Sequence, residues 1–215
     1  MKKEKDESND FKRWSITTGH TTLANAIRRE IEAYCRLYVN TTTNGGNEHH
    51  PHLQEHRIVL VLLLASYLEA LINLYCSFKF NREQFEALEK MPVIEKWTTI
   101  PTFTVPSYDL DKSKDLYKNL KDIFSCRNGI VHMRPEFSVD EHLIHPGNAS
   151  VLQRITHDSM MEWLKVPLAL IQNLGAHDNS HDAGSFLAVS EAHDVSGNWQ
   201  DFINRLIKHA QKNPK

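Results

Sequence analysis

Ile58-Val59-Leu60-Val61-Leu62-Leu63-Leu64-Ala65-Ser66-Tyr67-Leu68-Glu69-Ala70-Leu71-Ile72-Asn73-Leu74-Tyr75-Cys76 is a mostly apolar run of nineteen residues. It is close to the length that crosses a bilayer, so it separates a membrane protein from a bundle built on one buried helix. Glu69 and Asn73 lie well inside the run, and His56 and Arg57 abut its start. A carboxylate at that depth is costly in lipid and tolerable in a packed, paired core. The expectation is a long central helix, about Leu53 to Phe80, in an all-α bundle without a membrane span.

On the N-terminal side, Thr41 to His52 holds Asn44-Gly45-Gly46-Asn47 and reads as a loop. Before it, Leu23, Ile27, Ile31, Tyr34 and Tyr38 recur at helical spacing, with Thr21 or Thr22 as the cap. Residues 1–15 read as a disordered charged tail, and 16–215 as a single domain. On the C-terminal side, Asn81 with Gln84 forms a capping-box signature for a short helix through Leu88. Pro92 opens a second short helix, Val93 to Thr99. Pro101 to Asp109 reads as an extended crossing segment. From about Lys112 a helix carries Leu116, Leu120, Ile123, Phe124 and Ile130/Val131 on one stripe, until Pro135 stops it.

Phe137 to Thr156 alternates weakly around His145-Pro146-Gly147-Asn148, which is compatible with a small β-hairpin insert. Asp158 caps the next helix, Trp163, Leu164, Leu168, Ile171 and Leu174 face inward, Pro167 kinks it and Gly175 ends it. Ala176 to Gly197 is a polar loop around Phe186-Leu187-Ala188-Val189. A last amphipathic helix, about 198–212, carries Trp199, Phe202, Ile203, Leu206 and Ile207.

At 215 residues, 40% hydrophobic and 24% charged, the chain can bury its own core as one domain. A net charge of -2 supplies no global basic field, so an anionic substrate needs a local patch. The charged N-terminus lacks the apolar segment of a secretory leader, and a cytoplasmic location is expected. Cys35, Cys76 and Cys126 fall in apolar helical patterns and read as buried thiols in a reducing compartment.

Two histidine-rich stretches raise the question of a metal: Glu48-His49-His50-Pro51-His52 with His56, and His177, Asp178, His181, Asp182, His193 and Asp194. Neither has the His-Glu-x-x-His spacing or thiolates, and no bound metal or cofactor is expected. No glycine-rich phosphate cradle and no Gly-x-Ser-x-Gly elbow occurs.

The chemistry concentrates at Arg127-Asn128-Gly129-Ile130-Val131-His132. Within six residues the chain sets a fixed cation, an amide and a group that titrates near neutrality. On an ideal helix, residues four apart differ by about 40° and residues five apart by about 140°. Asn128 and His132 therefore share a face, whereas Arg127 and His132 converge only if the helix distorts at Gly129 or a partner element or second copy joins them. Gly129 also admits close approach of another backbone. An Arg127–Glu69 ion pair between packed helices, or cations set against a helix C-terminus, would account for the same residues structurally. Cys126, beside Arg127, reads as a packed thiol.

Arg-x4-His at a helix end, with Asn beside the Arg, resembles the signature of the HEPN superfamily (higher eukaryotes and prokaryotes nucleotide-binding domains). Ala65-Ser66-Tyr67-Leu68-Glu69-Ala70-Leu71-Ile72-Asn73 is similar to prokaryotic members, as is Pro92-Val93-Ile94-Glu95-Lys96-Trp97 followed by Ile100-Pro101. The resemblance covers about residues 53–175. It implies a HEPN-like helical bundle that dimerises so that two motifs form one cleft. Many such proteins are metal-independent RNA endonucleases in toxin–antitoxin, abortive-infection or antiviral systems. An antitoxin or regulatory protein would then be a further partner.

In that role His132 would move protons and Arg127 would grip the phosphate bidentately. Asn128 would orient phosphate or ribose, and Glu69 would hold Arg127 or fix the His132 tautomer. Asn73 and Arg134 would be substrate contacts. Other members of the superfamily have lost catalysis, so the alternative is an inactive helical module that binds a nucleotide or a protein partner.

Overall fold

Two long helices, α1 (Glu7–Thr43) and α2 (Pro51–Lys79), pack as an antiparallel hairpin. The computed structural model describes the backbone of residues 7–47, 49–132, 136–137, 144–145 and 149–177, and the side chains of 19–47, 49–132 and 151–177. Cross-helix pairs fix the hairpin's direction. His20 stacks on Tyr67, Glu30 Oε1 meets His56 Nδ1 at 2.6 Å, and Arg57 Nε donates to Tyr34 Oη at 3.2 Å. The α1 face that packs is Ala24, Ile27, Ile31, Tyr34, Cys35 and Val39, all buried at helical spacing. Leu23 and Tyr38 lie at its edges.

The turn between the two helices is made by its glycines. Gly46 N–H donates to Thr41 O at 2.8 Å and Gly45 N–H to Thr42 O at 3.3 Å. That paired closure of a helix end needs a left-handed residue, and Gly45 supplies it with φ 73°.

Helix α2 is long and apolar enough to cross a bilayer by length and composition, yet it forms the centre of this bundle. Leu60, Val61, Leu64, Leu68, Leu71, Ile72 and Leu74 are fully buried between α1 and the elements that follow. Each such side chain contributes about 1.5–3 kcal/mol through removal from water. The molecule is all-α in its framework. Around α2 pack α3 (Arg82–Glu89), α4 (Val93–Thr104), α5 (Asp115–Val131) and α7 (His157–Trp163). α6 (Ala149–Arg154) and α8 (Val166–His177) lean on α5. Two two-residue strands, β1 (Glu136–Phe137) and β2 (Ile144–His145), pair antiparallel with Glu136 opposite His145.

Several local expectations hold. Asn81 Oδ1 accepts from Gln84 N–H while Gln84 returns its side chain to Asn81 N–H, which starts α3 as the capping box requires. Others need correction. α1 starts at Glu7, inside the segment read as a tail, so Thr21 and Thr22 lie within the helix and do not cap it. Pro101 lies inside α4 and does not begin an extended crossing. Its missing N–H would leave Trp97 O without its helical donor, and Tyr108 Oη donates to that carbonyl at 3.1 Å instead. Tertiary contact thus replaces the bond that proline removes.

The helix expected from Lys112 to Pro135 is shorter, and Val131 on its stripe is 52% exposed. Thr156, rather than Asp158, caps α7, exchanging hydrogen bonds with Ser159. Pro167 does not kink one helix. It sits in the first turn of α8 after a two-residue break at Leu164–Lys165, and α8 continues past Gly175 to His177. Residues 149–154, grouped by sequence with the hairpin, are helical. The loop from 178 and the amphipathic segment 198–212 lie outside the described residues.

Candidate functional site

The approach to α5 is a tight polar turn. Ser113 donates from its N–H at 2.9 Å and its Oγ at 2.7 Å to Asp111 Oδ1, which holds that carboxyl below the usual carboxylate range. Asp115 then occupies the first turn, where a carboxylate suits the positive end of the helix. Leu120, Ile123 and Phe124 bury one stripe. Arg127 follows at seven, four and three residues from them, so it is the next position of the same stripe, half-buried at its end.

The helix does not distort at Gly129. It runs unbroken to Val131, and His132 is its C-cap with φ -109° and ψ 40°, its N–H on Asn128 O at 2.9 Å. His132 and Asn128 are exposed. Arg127 Nη1 donates to Asn128 Oδ1 at 2.9 Å, which joins two of the candidate residues directly. What approaches Gly129 is a side chain: a Cβ there would lie 2.6 Å from Val151 Cγ2 and 3.1 Å from Cγ1. α6 is further fastened by Arg154, whose Nη2 meets Asp122 Oδ1 at 2.6 Å and whose Nη1 donates to Ser125 Oγ at 3.2 Å. Burial pushes the Cys126 thiol up, against a smaller downward pull from Arg154.

Gln54 Nε2 donates to Leu152 O at 3.2 Å, and Leu152 adjoins the Val151 that covers Gly129. The motif end of α5 therefore lies beside the beginning of α2. Glu69 is fifteen residues beyond Gln54, about 22 Å along the helix axis. Among the described residues no ion pair joins Arg127 to Glu69. Asn73 lies further still, and its Oδ1 accepts from Lys96 Nζ at 2.8 Å. Lys96 is 1% exposed and also donates to Glu89 O at 3.0 Å, so it closes the C-terminus of α3 in the sense that suits a cation. Arg134 lies outside the described residues.

The structure thus brings together Arg127 and Asn128, adjoins His132 through the helix cap, and does not bring Glu69 or Asn73 to them within one chain. As a chemical unit, the helix end offers a guanidinium fork, an amide and a solvent-accessible imidazole. Among the described residues no three of His, Cys, Asp and Glu converge as metal ligands do. His52 Nδ1 meets Glu55 Oε2 at 3.1 Å and His56 meets Glu30, while His177 lies edge-on to Tyr108. Glu48 and the remaining histidine-loop candidates from Asp178 onward lie outside the described residues.

A second polar cluster escaped the sequence reading. Arg57, 1% exposed, reaches Tyr34, whose hydroxyl also meets His157 Nδ1 at 2.7 Å. The available signal was an arginine at the mouth of the apolar run. Tyr34 and His157 come from α1 and α7, which no local pattern connects to it.

Comparison with protein-family models, with curated proteins and with solved structures finds no match to this chain.

Proposed function

We propose that the chain is a metal-independent RNA endonuclease of the HEPN type, acting as a cytoplasmic homodimer in a toxin or antiviral role. The observation that carries this reading is the Arg127–Asn128 hydrogen bond at an open helix end, with His132 exposed at the cap. A guanidinium spent on a structural carboxylate would favour the bland alternative, and Arg127 forms no ion pair among the described residues.

In the proposed reaction one His132 takes the proton of the ribose 2′-hydroxyl as its oxygen attacks phosphorus. The bond to the 5′-oxygen breaks, and the partner copy's His132 protonates that leaving oxygen. Arg127 stabilises charge on the non-bridging oxygens. The products are a 2′,3′-cyclic phosphate and a 5′-hydroxyl, and DNA is resistant for want of the attacking group.

One observation favours the second reading, an inactive binding module. Glu69 and Asn73 stand away from the motif, so within one chain Glu69 is not placed to orient His132.

Cleavage of end-labelled RNA in the presence of a chelator separates the two. The wild type is expected to yield cyclic-phosphate ends, and Arg127→Ala and His132→Ala to lose about 10²–10⁴-fold in rate. Equal cleavage by all three proteins would remove the motif from the chemistry. A folded, dimeric wild type that binds RNA without cutting it would select the module.

A further inference from the structure

We propose that the Tyr34–His157 hydrogen bond is a proton-sensitive latch between α1 and α7, closed only while His157 is neutral. It rests on donor arithmetic and not on any activity. Arg57 Nε can only donate, and it donates to the Tyr34 oxygen at 3.2 Å. Tyr34 is 0% exposed, so its single proton must go to its other neighbour, His157 Nδ1, at 2.7 Å. That nitrogen is therefore bare, and the ring is the neutral form protonated on Nε2.

Charging the ring turns Nδ1 into a donor. Two donors would then face one oxygen, and the Tyr34 proton would be left in a buried site without an acceptor, a loss worth breaking the contact to avoid. Burial pushes the Tyr34 hydroxyl up to about 12, so it cannot relieve the conflict by giving up its proton near neutrality.

The described contacts nearest His157 do not relieve the conflict. From α1, Tyr38 stacks on its ring at 4.0 Å and 8°. From α2, the Arg57 cation stands over the Tyr34 ring, 5.7 Å from its centroid. From the end of α6, Arg154 is paired with Asp122 of α5. On its own helix, His157 is the first residue of α7, where the helix dipole opposes a cation. Asp158 beside it is the one carboxylate in that turn, and it is exposed, so its attraction is screened.

Folding therefore disfavours protonation of His157 relative to the unfolded chain, where histidine titrates near about 6.5. The latch's contribution to stability is complete above that pH and is lost as the pH falls below it.

The test uses the full chain with ring-labelled histidine and two-bond proton–nitrogen correlation spectra. At about pH 7 His157 is expected with a bare Nδ1. Its titration should lie about one unit or more below that in Tyr34→Phe. The fall in thermal midpoint from about pH 7 to about pH 5 should be shallower in His157→Gln than in the wild type. An Nδ1–H tautomer or a charged ring at neutrality overturns the proposal whether or not Tyr34→Phe folds. So does a midpoint fall that His157→Gln leaves unchanged.

Discussion

Lys96 carries an ammonium group into a site that is 1% exposed, where Asn73 Oδ1 and Glu89 O accept from it. A buried cation is tolerated only while its hydrogen bonds are made. Asn73 was marked in the sequence as a polar residue inside an apolar run, and that much was legible. Its partner was not, because Lys96 lies 23 positions later on a helix that reaches it only by packing. Asn73→Ala is therefore expected to lower stability by about 1–3 kcal/mol, read as a shifted urea midpoint. A variant as stable as the wild type but weaker in RNA binding would return Asn73 to the role of substrate contact. Arg127 shows the opposite balance. Its stripe position is written in the helical spacing, and its side chain donates to its neighbour in sequence.

Between elements, the contact that fixes the motif end is α6 lying across α5. Alanine at 129 would gain about 1 kcal/mol of helix propensity, but its Cβ would stand 2.6 Å from a methyl of Val151. Val151 is β-branched and stiff at χ1, so it cannot swing away freely. Overpacking of this kind costs about 1–3 kcal/mol. Gly129→Ala is thus expected to destabilise net, and Gly129→Ala/Val151→Ala to recover the helix gain. Additive effects in the double-mutant cycle would show that the two residues do not press on each other. The same scale explains which helix boundaries were readable. The Asn81–Gln84 cap is local and was legible. The continuation of α4 through Pro101 was not, because the hydroxyl that satisfies Trp97 O comes from Tyr108, beyond the helix.

At the scale of the molecule, the three cysteines report on the core as a whole. Cys35, Cys76 and Cys126 sit on α1, α2 and α5, all buried and free. Burial pushes the first two thiols up to about 12, so neither thiolate forms near neutral pH, and none of the three residues is more than 3% exposed. Alkylation of the native protein should therefore proceed no faster than global unfolding, and all three sites should react together in denaturant. Fast labelling of one thiol would reveal a helix that opens by itself. The apolar run, the helical spacing of the stripes and the short-range caps were determined by the sequence alone, because each depends on residues within a few turns of one another. Where α6 rests, what Asn73 holds, how Pro101 is compensated and whether Glu69 reaches Arg127 were decided only by tertiary structure. Those outcomes turn on which side chains from distant segments share one buried space, where a donor or acceptor left unpaired is costly.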